Sequence, residues 1–182
     1  GDALTDSEGN ITGLKYTVVL KGVSETPVSV LDTFDTSILE VDTAKASSWD
    51  HMRIWGGNQW SQDAGRMPVS YTDTGDGIIL TADSVPMQQD GSYYPYYKII
   101  YYLKVKDGVD LNALAIANGG EYDVDNTVKW GDHEAEFTYK VEYDYLDKKL
   151  LNEGELGGTS RTAKYQITFN PAKATLNEGL DM

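Results

Sequence analysis

The 182 residues contain no cysteine, so no disulfide staples the chain and no thiolate is on hand for metal or redox chemistry. Histidine is nearly as scarce. His51 and His133 are the only two, and they do not stand at metal-ligand spacing. Positive charge is also in short supply: 15 Lys and Arg against 29 Asp and Glu give a net charge of −14. A chain so acidic lacks the basic stripes that nucleic-acid phosphates require, which removes nucleic acid as a partner. No apolar run approaches the roughly 18 residues of a membrane-spanning helix, so no membrane partner is read within this sequence. Nucleophile elbows and phosphate loops are missing too. Paired carboxylates abound but discriminate nothing in so acidic a chain, glycoside hydrolysis included. The reading is of a protein that is not an enzyme, with no metal and no cofactor.

What the sequence does have is a repeat. The stretch 164-KYQITFNPAKATLNEGL-180 echoes 15-KYTVVLKGVSETPVSVL-31. Each puts a Lys-Tyr pair ahead of an apolar-alternating run and then enters a polar turn. The two tyrosines lie 149 residues apart (165 − 16 = 149). A period that long implies one whole module, over 1–145, followed over 146–182 by a linker and the opening strand of another. Tandem β modules imply a surface stalk, with neighbouring modules of the same protein as partners and an extracellular, cell-surface location.

Thirteen Tyr and eighteen Gly, with many Thr and Val, favour strands and turns over helices. Strand candidates recur at short spacing: 16–20, 28–32, 38–41, 52–55, 77–81, 96–105, 125–130 and 136–143. The longest, Tyr96–Val105, reads as a central strand covered on both faces. One exception is Leu111–Ala117, of helix-forming composition, with Asp110 as cap and Gly119 as stop. The segment from about Asp144 to Thr162, rich in Gly, Glu, Asn and Lys, reads as the linker. The pattern predicts an all-β sandwich with one short crossover helix.

With strands placed, several segments resemble the isopeptide-forming, immunoglobulin-like domains of Gram-positive adhesins and pilins, the collagen-adhesin type above all. They are 28-VSVLDTFDTSIL-39, 99-IIYYLKVKDG-108, 125-DNTVKWGD-132 and 164-KYQITFNP-171. The resemblance implies an immunoglobulin-like β-sandwich from a cell-wall-anchored or fimbrial protein. In that family a Lys on or just before the first strand condenses with an Asn on the last strand, releasing ammonia, and a buried Asp or Glu catalyses the bond. Burial would raise the acid's pKa and lower the amine's, as the reaction needs.

Carried onto this chain, the resemblance makes Asp32 the catalytic acid and Asn126 the amide partner. Read without it, Asp32 opens an Asp-Thr-Phe-Asp turn and would cap it, while Asn126 is a strand-edge residue. The family's Lys falls a dozen or more residues before the first strand's aromatic. No Lys precedes Lys15 in that stretch, so the reactive Lys is expected ahead of residue 1. Lys148 and Lys149 stand 17 and 16 residues before Tyr165, which makes Lys149 the equivalent for the next module. Lys15 is the fallback, although alternation with Leu14 and Val18 points it outward.

The other concentration of chemistry is 49-WDHMRIWGGNQW-60. Trp55 and Trp60, with Arg53 and Asn58, form an aromatic-polar set of the kind that stacks on sugars or peptides. It defines the alternative function, a secreted carbohydrate-binding module with a glycan or host protein as ligand. Packing of the indoles into the core is the plainer reading. Asp63, Asp73 and Asp76 offer oxygen ligands for calcium but lack a spaced loop, so a hairpin turn is expected at 73–77.

Overall fold

The computed structural model describes residues 1–7, 9–143, 146–150 and 164–169. The chain forms two compact units. The first comprises Gly1–Ser7, Ile11–Val109 and Asp123–Tyr139, and the second Glu8–Asn10, Asp110–Tyr122 and Lys140–Met182. In chain order the strands are β1 (Asp2–Thr5), β2 (Ile11–Lys21), β3 (Val28–Phe34), β4 (Leu39–Val41), β5 (Arg53–Gly57), β6 (Gly65–Pro68), β7 (Ser70–Asp73) and β8 (Gly77–Ala82). Then come β9 (Tyr96–Val105), helix α1 (Leu111–Ala117), β10 (Glu121–Trp130), β11 (His133–Glu142), β12 (Leu146–Leu150) and β13 (Tyr165–Phe169).

The first unit is an antiparallel β-sandwich, as the strand pattern predicts. One sheet runs β1-β2-β9-β5-β6, with the short β4 also bonded to β9. The other runs β11-β10-β3-β8-β7. Strict alternation decides which side chains meet between the sheets. From the first sheet come Leu14, Tyr16 and Leu20 of β2 and Tyr97, Ile99, Tyr101 and Leu103 of β9, all buried. From the second come Val28, Val30 and Phe34 of β3 and Ile78, Leu80 and Ala82 of β8. The 73–77 turn joins β7 to β8, which pair from Asp73↔Ile78 to Ser70↔Thr81.

β9 is covered on both faces. Ile100 and Tyr102, which point away from the sandwich interior, pack with Trp55 and Leu4 into a second, smaller cluster. The irregular segment around Trp49–Met52 closes over it.

In the second unit α1 begins at Asp110, whose carboxylate accepts from the backbone N–H of Asn112 at 2.9 Å and of Ala113 at 3.1 Å. It ends at Gly119, which takes φ +85°. The Gly120 N–H returns to the Ala115 carbonyl and the Gly119 N–H to that of Ile116. This pair of bonds satisfies the last carbonyls, and a side chain at Gly119 would strain it. β12 and β13 form an antiparallel pair of their own. Of the linker expected over 144–162, residues 146–150 form β12 and the others lie outside the described residues, as does 170–182.

Candidate functional site

β3 and β10 are neighbours in the second sheet, with Val128 across from Asp32 and Asn126 across from Phe34. Asp32 and Asn126 are therefore diagonal neighbours on one face, within side-chain reach. That face is the sandwich interior. Both residues are fully enclosed, and Asn126 Nδ2 donates to Asp32 Oδ1 at 2.7 Å. Asp32 lies within a strand, with Ile78 across from it on the other side, so it caps no turn. The close approach of β8 is possible because residue 77 is glycine: a Cβ there would sit 2.0 Å from the Asp32 carbonyl oxygen.

Two tyrosines from the facing sheet complete the site. Tyr16 and Tyr101 are cross-strand partners, and their rings stack with centroids 5.5 Å apart. Phe137 meets Tyr16 edge-on at 5.9 Å. Burial raises the Asp32 pKa to about 6, against partial relief from Tyr101 and from the Asn126 hydrogen bond. Tyr101 is itself pushed well up, by burial first and then by the Asp32 charge, and Tyr16 likewise. Asp32 Oδ2 and the hydroxyls of Tyr16 and Tyr101 are buried and make no hydrogen bond among the described residues. The two hydroxyls can donate as well as accept, so three orphaned oxygens around a raised carboxyl make a polar enclosure able to take a further hydrogen-bonding group. In the sequence both tyrosines stand only as members of strand candidates, 16–20 and 96–105. Their parity with Leu14 and Leu103 was the signal that placed them inside.

Lys15 is not part of this site. It lies on the opposite face of β2, where its Nζ meets Asp50 Oδ2 at 2.9 Å and lies 5.5 Å from the Tyr102 ring centroid. The Tyr102 hydroxyl also donates to Asp50 Oδ2, at 2.8 Å. Burial pushes the Asp50 carboxyl up, but the hydrogen bonds from Lys15 and Tyr102 outweigh it, and its pKa lies below the usual range. The Asp50 hydrogen bond in turn raises Lys15, keeping it a cation. The Tyr102 N–H donates to His51 Nδ1 at 3.1 Å, which assigns the ring proton of a neutral His51 to Nε2. Burial lowers the His51 pKa and so favours that neutral form. β9 passes here from β5 to β4 as its partner on that side. An imidazole thus fills the rung that neither strand supplies.

The aromatic-polar set does not converge. Trp55 is buried, with Trp49 edge-on at 5.2 Å and the Arg66 guanidinium 5.3 Å from its centroid. Arg53 donates to the backbone carbonyls of His51 and Met52. The Asn58 N–H is tied to Gln62. Asn58 and Trp60 are exposed, and Trp60, at 63%, borders a groove of about 560 Å³. Lys149 is on β12, across from Gln166.

No protein-family model matches the chain, and comparisons with curated proteins and with solved structures found no match either.

Proposed function

We propose that this chain is a load-bearing structural module of a modular bacterial surface protein, of the immunoglobulin-like kind that crosslinks itself between a lysine and an asparagine. The observation that carries this reading is the enclosed Asp32–Asn126 pair on adjacent strands, with the acid's pKa raised into the range where it holds a proton at mildly acidic pH.

The chemistry follows from that geometry. With Asp32 protonated, a half-turn of the Asn126 amide lets Oδ1 accept the carboxyl proton, which polarises Cγ. A neutral lysine amine attacks Cγ, and its Nζ–Cγ bond replaces the Cγ–Nδ2 bond. The amine's proton passes by way of the carboxyl to Nδ2, which departs as ammonia. Enclosure keeps water from competing, and folding supplies the alignment. Nothing is oxidised or reduced, and the acid is regenerated.

Lys15, committed to Asp50 on the other face, does not supply the amine. The reading therefore requires a lysine presented by a segment outside the described residues. Such a bond would close a loop of a hundred residues or so and stabilise the module by about 4–5 kcal/mol, by analogy with a disulfide. It would also stop the sandwich from unzipping under tension. The test is intact mass of the protein expressed with its native flanking sequence. Loss of one ammonia is expected in the parent and in neither Asp32→Ala nor Asn126→Ala. A parent that keeps its full mass leaves the sandwich without covalent chemistry.

A further inference from the structure

The two hairpins at either end of the described chain share one register. β1 pairs with β2 through Leu4↔Gly13, Ala3↔Leu14 and Asp2↔Lys15. The next position outward, residue 1, falls beside Tyr16: a Cβ there would lie 3.2 Å from Tyr16 Cε1. β12 pairs with β13 through Leu150↔Tyr165. Tyr165 is the sequence counterpart of Tyr16, and Leu150 stands at the same offset from residue 1. The repeat seen in the sequence is thus also a repeat of strand pairing.

The second hairpin carries four further rungs: Lys149↔Gln166, Lys148↔Ile167, Asp147↔Thr168 and Leu146↔Phe169. Their counterparts on β2 are Thr17, Val18, Val19 and Leu20. β9 bonds β2 along one side as far as Lys21. On the other side, no strand among the described residues pairs with β2 beyond Lys15. Beside this stretch runs the 560 Å³ groove, whose mostly apolar lining includes Val18, Leu20, Trp60 and Trp130, with Lys21 and Glu134 among the charged residues at it. An open strand edge next to an apolar trough is the physical description of a strand acceptor, with main-chain bonds giving affinity and the trough taking alternate side chains.

The geometry points to Thr17–Leu20 of β2 as a strand-acceptor site whose occupant is the Leu146–Leu150 strand of a second copy of this chain. The argument for that occupant is its present partner. β12 already pairs with β13, the near-copy of β2, so exchanging β13 for another molecule's β2 replaces one edge with a similar one. Strand exchange of this kind costs little because the contacts given up resemble those gained. The segment carries Lys148 and Lys149 against Asp147, a net charge of +1 on a chain of net charge −14, which lessens the repulsion at the contact itself. The inference does not depend on the crosslink chemistry.

The absence of cysteine makes the test clean. Full-length chains bearing Val19→Cys and Asp147→Cys are mixed and oxidised, and the disulfide-linked heterodimer is quantified. The pair Thr17→Cys with Lys149→Cys is a second in-register test should either first variant fold poorly. Val19→Cys with Lys148→Cys is the one-residue slip, which puts the second thiol on the other face. In-register pairs are expected to crosslink at least about tenfold faster than the slipped pair, and a synthetic 145–151 peptide in excess should suppress them. Equal rates for matched and slipped pairs, or no heterodimer, would overturn the proposal. So would peptide-insensitive crosslinking. Glycan binding lost in Trp60→Ala without in-register crosslinking would assign the groove to a sugar instead.

Discussion

Replacing Asp32 by asparagine separates the cost of a buried charge from the shape and hydrogen bonding of the group that carries it. Burial moves this carboxyl from 3.8 to about 6. A displacement of roughly two units, at about 1.4 kcal/mol each, amounts to about 3 kcal/mol. The sign follows from linkage: a folded-state pKa above the unfolded one means that folding favours the protonated acid. That contribution is whole below about pH 4 and is lost as the pH rises through about 6. Asparagine keeps nearly the same volume, can still accept from Asn126 Nδ2, and does not titrate. Unfolding free energies from urea titrations of parent and Asp32→Asn should therefore draw apart between pH 4 and pH 7.5. The variant should gain about 3 kcal/mol relative to the parent over that range. Other titrating groups, including Asp50 with its depressed pKa, act in both proteins and cancel in the difference. Parallel curves for the two proteins would refute the claim that Asp32 is charged at a cost inside the fold.

The tryptophans give a second contrast: Trp55→Ala should cost about 3–5 kcal/mol in chemical denaturation, because the indole is buried among Ile100, Tyr102 and Leu4. Trp60→Ala, at an exposed position, should stay within about 0.5 kcal/mol. Gly77→Ala forces a methyl group against the Asp32 backbone. We expect it to lower stability by about 3 kcal/mol or more and to disturb the pKa of Asp32. A well-folded Gly77→Ala with an unchanged pH profile would contradict the tight β3–β8 contact.

Much of this was legible because burial follows alternation. Val28, Val30, Asp32 and Phe34 share a parity, so the acid had to enter the core once 28–34 was a strand, and the same holds for Asn126 beside Val124. The α1 boundaries were readable for a different reason: Asp110 and Gly119 are local devices that act without tertiary help. β1, β6 and β7 escaped notice because each has four residues, too few for a period to show. β2 starts at Ile11, ahead of the run read from Tyr16, because β1 lies against its first half. The cluster of Lys15, Asp50, His51 and Tyr102 was invisible for a stronger reason. Its members are joined by an irregular segment, and no spacing rule says that 49–52 folds back over β9. The same gap explains why Trp55 and Trp60, five residues apart, look like one binding surface in sequence and are one core residue and one exposed residue in the fold.

Tyr101 and Tyr102 are consecutive, so a single peptide unit of β9 stands between two enclosed carboxylates. One tyrosine faces Asp32 in the interior and the other holds Asp50 on the outer face. Tyr102 is anchored on both sides of its Cα, since its N–H is held by His51 and its carbonyl accepts from Asp42 N–H at 3.0 Å. The outer cluster is thus a mounting for the inner one. A strand gripped by side chains at this point resists the small rotation that would swing the Tyr101 hydroxyl off the acid. The rigidity of the buried pair is set from outside the sandwich, by a histidine that touches neither Asp32 nor Asn126.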